Sequence, residues 1–241
     1  GNAFELHAFS TGPEDNSAMR GRIKAAFAHF TEVSNRSDRE IAEAIRNAQI
    51  DILVNLSGYF GAERTGAVAF KPAPVQVNYL GFPGTMGAPY MDYILADRWI
   101  IPEDQQEFYT EKVVYLPDCY QANDRKKEIG ENAGTRSDHG LPRSGFVFAC
   151  FNNAYKITPE IFDIWMRLLT KVEGSVLWLL DVESAARRNL AKEAIKRGIA
   201  SDRVVFAPFT ALKDHLARIR HADLFLDTLP VNAHTTASDA L

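Results

Sequence analysis

Cysteine is scarce: Cys119 and Cys150 are the only two in 241 residues. Two thiols provide no disulfide framework and fit a reducing compartment, which predicts a cytoplasmic protein. No apolar run approaches the ~20 residues that a membrane span needs, and no signal peptide is visible, so no membrane partner is expected. Positive charge is not in excess: 27 Lys and Arg stand against 31 Asp and Glu, a net charge of −4. No segment is basic enough to suggest a nucleic-acid partner, and Arg125-Lys-Lys127 reads as a solvated loop. No internal repeat and no low-complexity tract is present. With 46% hydrophobic and 24% charged residues, the composition is that of a globular protein rather than a disordered one.

What is present is alternation. Strand-like runs fall at residues 4–9, 50–54, 75–80, 92–96, 113–116, 145–151, 175–180, 204–206 and 223–226. Helical spacing predicts helices over 19–30, 38–48, 63–70, 159–169, 184–197 and 213–219, with Ile161, Ile164, Trp165, Leu168 and Leu169 inward in the fourth. Strand and helix in turn predict βαβ units and parallel sheets, an α/β fold. Periodicity fails between Asp118 and Ser144. The expectation is therefore an N-terminal lobe over 1–142, an interlobe segment near 118–144 and a C-terminal lobe over 143–241. The chain opens at Gly1 without Met, almost at once in a strand, and stops at Leu241 within a helix; it reads as a piece of a longer protein with both lobes incomplete.

Two stretches carry chemistry. Residues 223–226 read as a buried strand, followed by a loop with Pro230 and Asn232 and then by His234-Thr235-Thr236 where a helix should begin, Thr being a good cap. A strand, a loop and a helix N-terminus make an anion site, because unpaired N–H groups and the helix dipole point at one spot. An ordinary strand–loop–helix crossover accounts for the same spacing. The loop Gly81-Phe-Pro-Gly-Thr-Met-Gly87 would let backbone approach a ligand closely, or serve packing alone.

Taken together, Gly81-Phe-Pro-Gly-Thr-Met-Gly87, Phe151-Asn-Asn-Ala-Tyr-Lys156 and His234-Thr-Thr-Ala-Ser-Asp239 make the chain resemble the catalytic region of the O-GlcNAc transferase family, in its bacterial and SPINDLY-like branch. Asp51–Tyr59, Lys71–Gln76, Met91–Tyr93, Ser175–Leu180 and Leu226–Thr228 support the likeness, which runs nearly end to end. The resemblance implies a glycosyltransferase fold of the GT-B type, two Rossmann-like lobes facing across a cleft, preceded by helical tetratricopeptide (TPR) repeats. It implies transfer of GlcNAc from UDP-GlcNAc to Ser or Thr hydroxyls of proteins, inverting the anomeric centre. Nucleotide sugar and protein acceptors are thus the implied partners. No metal and no other cofactor is implied, and the sequence has no Asp-x-Asp pair of the metal-dependent sort.

Residue by residue, the resemblance makes Lys156 the contact to the donor diphosphate and the group that stabilises charge growing on the leaving UDP. Asn153 stands at a position near the pyrophosphate that is often Gln. His234, Thr235 and Thr236 meet the phosphates and donor, and Asp239 accepts from the ribose hydroxyls. His215 packs on the uracil ring, the backbone of Thr210 reads its edge, and Leu180 lines the same pocket. Leu212 stands where Lys is frequent, a role that Lys213 can take. Leu80, Gly81 and Pro83 form the loop beside sugar and acceptor, and Tyr59 stands where many bacterial members have His. No residue of this chain is assigned as general base. Donors such as GDP-fucose or UDP-glucose, and a non-catalytic module that binds a nucleotide sugar, remain alternatives at this level.

Overall fold

The computed structural model describes residues 3–61, 63–181 and 184–241. Contacts divide the chain into two units, Gly1–Ala122 and Asn123–Leu241. The break falls inside the 118–144 segment but ahead of the expected boundary after residue 142. Residues 123–142 belong with the second unit because they pack there. Gly130 N–H donates to the Lys213 carbonyl (2.9 Å), a ring nitrogen of His221 meets the Ala133 carbonyl (3.1 Å), and Leu141 joins the core around Trp178. Among the described residues no helix is long and apolar enough to cross a membrane.

The first unit runs β1 (His7–Ser10), α1 (Ala18–Lys24), β2 (His29–Glu32), α2 (Asp38–Asn47), β3 (Ile52–Asn55), α3 (Thr65–Ala69), β4 (Val75–Asn78), β5 (Tyr93–Ala96) and β6 (Lys112–Tyr115), with a 3-10 turn at Glu103–Phe108. Strands β1 and β2 form a parallel pair of their own, and β3-β4-β5-β6 form a parallel sheet in sequence order. Helix α2 starts as its sequence dictates. The Ser37 side chain accepts from the Glu40 N–H and the Glu40 carboxylate from the Ser37 N–H, a reciprocal capping box. Its Ile41 and Ile45 bury against Val33, Ala67, Phe9 and Leu53.

The helix expected over 19–30 is shorter. It stops at Lys24, where Ala26 and Phe27 close tight turns onto Ile23 and Lys24. Ala28 and His29 then donate to the Leu6 carbonyl and open β2. Phe30 satisfied the helical spacing by coincidence. On the strand it lies under Arg20 and Lys24, whose charges stand 5.7 and 5.4 Å from its ring centre.

The second unit runs β7 (Val147–Cys150), α4 (Pro159–Lys171), β8 (Val176–Leu180), α5 (Ser184–Lys196), β9 (Val204–Ala207), α6 (Leu212–Arg218), β10 (Leu224–Phe225) and α7 (Thr235–Ala240). All its pairs are parallel, in the order β10-β7-β8-β9. Alternate residues of β8 face opposite cores. Leu177 and Leu179 pack with Ile161, Phe162, Trp165 and Leu169 of α4, while Val176 and Trp178 pack with Leu141, Val147 and Phe151. Helix α4 begins with Thr158 as cap and Pro159 in its first turn, as expected. Its buried stripe is rotated from the expected one: Phe162 and Met166 face inward, Leu168 is half-buried, and Ile164 is 42% exposed. The run 223–226 is likewise not a buried strand. Only Leu224 and Phe225 pair, at the sheet edge, and Leu224 is 48% exposed.

This strand order fixes where a ligand can bind. Connections from β7 run one way through β8 to β9, and then cross back to β10 on the other side of β7. Parallel sheets open a crevice beyond the carboxyl ends of strands at such a reversal. The segments leaving β7 and β10 are residues 151–158 and 226–234, and both contain the residues singled out from sequence.

Candidate functional site

Asn152 follows the buried strand β7 by two residues and is itself only 3% exposed. A buried amide must find partners. Its Nδ2 donates to Thr228 Oγ1 (2.8 Å), and its Oδ1 accepts from Thr236 Oγ1 (2.5 Å). One side chain thereby joins the segment after β7, the segment after β10 and the first turn of α7. Asp227 shapes the loop between. Its carboxylate accepts from the backbone N–H groups of Thr228 (2.7 Å) and Ala233 (2.6 Å) and from Asn232 Nδ2 (2.8 Å). Thr228 Oγ1 donates onward to the Val231 carbonyl at 2.7 Å.

Lys156 reaches into the same place: its Nζ donates to the Asn232 carbonyl at 2.9 Å. His234 occupies the cap position of α7 without capping it through its side chain, so the expected Thr cap is not formed. Burial, then the neighbouring Lys156 charge, pulls the His234 imidazole pKa below its ordinary value, with Asp227 opposing. A neutral imidazole therefore stands beside an ammonium. The formal positive charge in this group is that of Lys156.

A second group lies on the other side of Phe151. The His215 ring, on α6, meets the Phe151 ring edge-on at 4.8 Å between centres. His215 Nδ1 accepts from Arg218 Nε (3.2 Å) and Nη2 (3.0 Å). A guanidinium only donates, so the hydrogen pattern assigns the neutral tautomer with its proton on Nε2. Burial, then Arg218, lowers the His215 pKa, with Asp239 opposing. Arg218 is itself buried; its Nη1 donates to the Pro208 carbonyl (2.8 Å), and its charge lies over the Phe151 and Trp178 rings. Asp239, on α7, is engaged by Lys127 Nζ. Arg125 and Lys126 are exposed, as the solvated-loop reading expects, and Lys127 departs from it. The Lys127 side chain is 22% exposed and in contact with a site carboxylate.

Of the remaining sequence-derived residues, Leu180 is half-buried against the core that holds Phe151 and Trp178. Thr210 is half-buried in the segment between β9 and α6, and Asn153 and Thr235 are exposed. A cavity of about 180 Å³ opens between Phe151, Phe225 and Ala240 on the flank of the same reversal point. The structure thus brings Lys156, His234 and Thr236 together around Asn152. It gathers His215 and Asp239 near Phe151, one residue away.

The loop of the first unit is held differently. Leu80 takes a positive φ of 72°, and Gly81 N–H donates to the Leu56 carbonyl at 3.1 Å. A Cβ at Gly81 would stand 2.3 Å from that oxygen, so glycine is required for close backbone approach. The Pro83 carbonyl accepts from Tyr109, and buried Asn78 donates to the Phe82 and Gly84 carbonyls. Tyr59 donates to the Met86 carbonyl at 2.7 Å. Leu80, Gly81 and Pro83 are thereby placed by backbone packing.

Sequence reasoning gave no site role to Asn152, Asp227, Thr228, Arg218 or Lys127. A signal existed for the first three: polar residues directly after apolar strands, where a parallel sheet puts ligands. Lys127 gave none, because its partner lies 112 residues away.

A parallel α/β unit whose strand order reverses beside its first strand has Rossmann-like architecture, and here the reversal carries a cation, hydroxyls and imidazoles. The model of glycosyl transferase family 41 matches residues 1–131 and 130–241, so the chain belongs to that family. Two relatives come from Arabidopsis thaliana. One is "Probable UDP-N-acetylglucosamine--peptide N-acetylglucosaminyltransferase SEC", 39% identical over 242 residues, covering 98% of this chain and 25% of that protein. The other, of the same printed activity and called SPINDLY, is 34% identical over 228 residues, 92% of this chain and 24% of that protein. Among solved structures, an O-GlcNAc transferase mutant from Thermobaculum terrenum superposes with a TM-score of 0.88 at 32% identity, covering 99% of this chain and 45% of that one. The chain spans about a quarter of the length of these curated relatives. The expected Rossmann-like α/β architecture of a GT-B glycosyltransferase is shown by this neighbour and by the parallel sheets.

Proposed function

We propose that the protein transfers GlcNAc from UDP-GlcNAc to Ser or Thr hydroxyls of proteins, with inversion and with no metal ion in the reaction. The single observation carrying this reading is the meeting of Lys156, His234 and Thr236 at the strand-order reversal of the second unit. In the reaction the acceptor oxygen forms a bond to the anomeric carbon as the bond from that carbon to the diphosphate oxygen breaks. Negative charge grows on the departing UDP. Lys156 would meet that charge, and the Thr235 hydroxyl with the N–H groups of Thr235 and Thr236 would add donors, the Thr236 hydroxyl being committed to Asn152. His234, held neutral, keeps one nitrogen able to donate and one able to accept beside the phosphates. His215 offers its ring to the uracil, Leu180 and Thr210 line the base site, and Asn153 stands beside the pyrophosphate. Asp239, steadied by Lys127, takes the ribose hydroxyls. TPR repeats of the longer protein would present the acceptors.

Competition between UDP and GDP for binding, followed by Lys156→Ala kinetics, tests this. The reading expects UDP to bind more tightly than GDP, and removal of Lys156 to lower kcat about 100- to 1,000-fold, the size of one preorganised electrostatic contact. Unchanged turnover in Lys156→Ala would remove the assignment. Tighter binding of GDP would replace the donor.

A further inference from the structure

The amino-terminal strand pair carries a group of side chains that none of this chemistry uses. Side chains two apart on a strand share a face, and residues in register on neighbouring strands stand side by side. Glu5 and His7 are two apart, and His7 is in register with His29. Strand register therefore sets His7 and His29 side by side, and Glu5, just ahead of β1, reaches both. The two imidazoles lie ring over ring, 4.3 Å between centres and 27° from parallel. Both Nε2 atoms turn to the same carboxylate oxygen, Glu5 Oε1, at 2.7 Å from His29 and 3.5 Å from His7. The ligand atoms all lie within 4.8 Å of one another. Among the described residues this is the one group of three metal-ligating side chains that converges in this way.

We propose that Glu5, His7 and His29 bind a divalent cation of the zinc class, which clips β1 to β2. Zinc is held by imidazole nitrogen and carboxylate oxygen at about 2.0–2.2 Å, so adjacent ligands of a tetrahedral ion stand about 3.3 Å apart. The separations found here bracket that distance, and small side-chain rotations close the shell with water in the fourth position. Two imidazoles and one carboxylate suit zinc better than calcium or magnesium, which take oxygen. Glu5 and His29 are exposed, so an ion can enter without unfolding. Among the described residues the β1–β2 pair takes no further strand. Its tie to the core is Phe9, on the same face as the histidines, packed with Val33 and Ile41. An ion bridging His7 and His29 would fasten the outer end of the pair, as Phe9 fastens the inner end.

The experiment is a zinc titration of the protein against a chromophoric zinc chelator, with thermal unfolding at each zinc level. The expected result is one zinc per chain, a zinc-dependent rise in Tm, and a loss of at least about 10-fold in affinity in both His7→Ala and His29→Ala. Glu5→Gln, a conservative change at an exposed position, should lose the Tm response while its circular dichroism stays unchanged. His139→Ala, which breaks the other close histidine pair, with His221 at 5.3 Å, should bind as the parent does. Equal zinc affinity in the parent and in a His7→Ala/His29→Ala double variant would overturn the proposal. So would loss of binding in His139→Ala instead.

Discussion

Each unit carries a buried asparagine at or just past the carboxyl end of a central parallel strand, Asn78 in the first and Asn152 in the second. They are used in opposite ways. Asn152 is partnered at both ends by threonine hydroxyls from two other segments. Asn78 donates twice to loop carbonyls, while its Oδ1 is left without a protein partner; so is Nδ2 of Asn55, its register mate on β3. The first loop is fixed by backbone shape, through Gly81 against Leu56 and the positive φ of Leu80. The second is fixed by side chains, which gather Lys156 and His234 beside it. A backbone-determined loop loses stability when its shape is disturbed; a side-chain network loses chemistry when a member is removed.

Substitutions can break that contrast. Lys156→Ala should give the largest functional effect, a kcat lowered about 100- to 1,000-fold with Tm nearly unchanged. Gly81→Ala should do the reverse. Forcing a methyl against the Leu56 oxygen costs about 3 kcal/mol of stability, read from urea unfolding. If Gly81→Ala keeps full stability, the first loop is not backbone-determined. Asn152→Ala is expected to lose about 2 kcal/mol, because it strands the Thr228 and Thr236 hydroxyls, and to weaken UDP binding as well. Loss of stability without loss of affinity would make it a purely structural residue. Lys127→Met, which releases Asp239, should raise the donor KM about fivefold, or about 1 kcal/mol, with kcat intact.

The smallest expected effect is in pH. The folded-state pKa values of His215 and His234 lie below the ordinary imidazole value of about 6.5. Between that value and the lower folded one, the unfolded chain binds more protons, so stability rises with pH there and falls on acidification. Tm measured from pH 7.5 downward should drop below about pH 6.5, and the double variant His215→Gln/His234→Gln should show a shallower slope. An equal slope would mean that other groups set the acid limit.

Much of this was legible in the sequence for a physical reason. Strands buried on both faces must be continuous apolar runs, which is why β7 and β8 stand out in the chain. Errors came where two periodicities coincide. Phe30 fits a helix from Met19 as well as a strand beside Ala8, and only pairing with β1 decides between them. The run 223–226 is apolar enough for an interior strand, yet nothing local says that it lies at an edge. At the site, Lys156, His234 and Thr236 were visible as motif residues, whereas the polar side chains that hold them were not. Asn152 and Asp227 act through hydrogen bonds made across the fold, and Lys127 through an ion pair.

Trp178 has a consequence of its own. Its indole is wholly enclosed, with the Arg218 guanidinium 5.9 Å from the ring centre, and the same guanidinium holds His215. Under the proposed function a base would settle on His215, one contact from that charge, so Trp178 emission read with and without UDP would report occupancy with no attached dye.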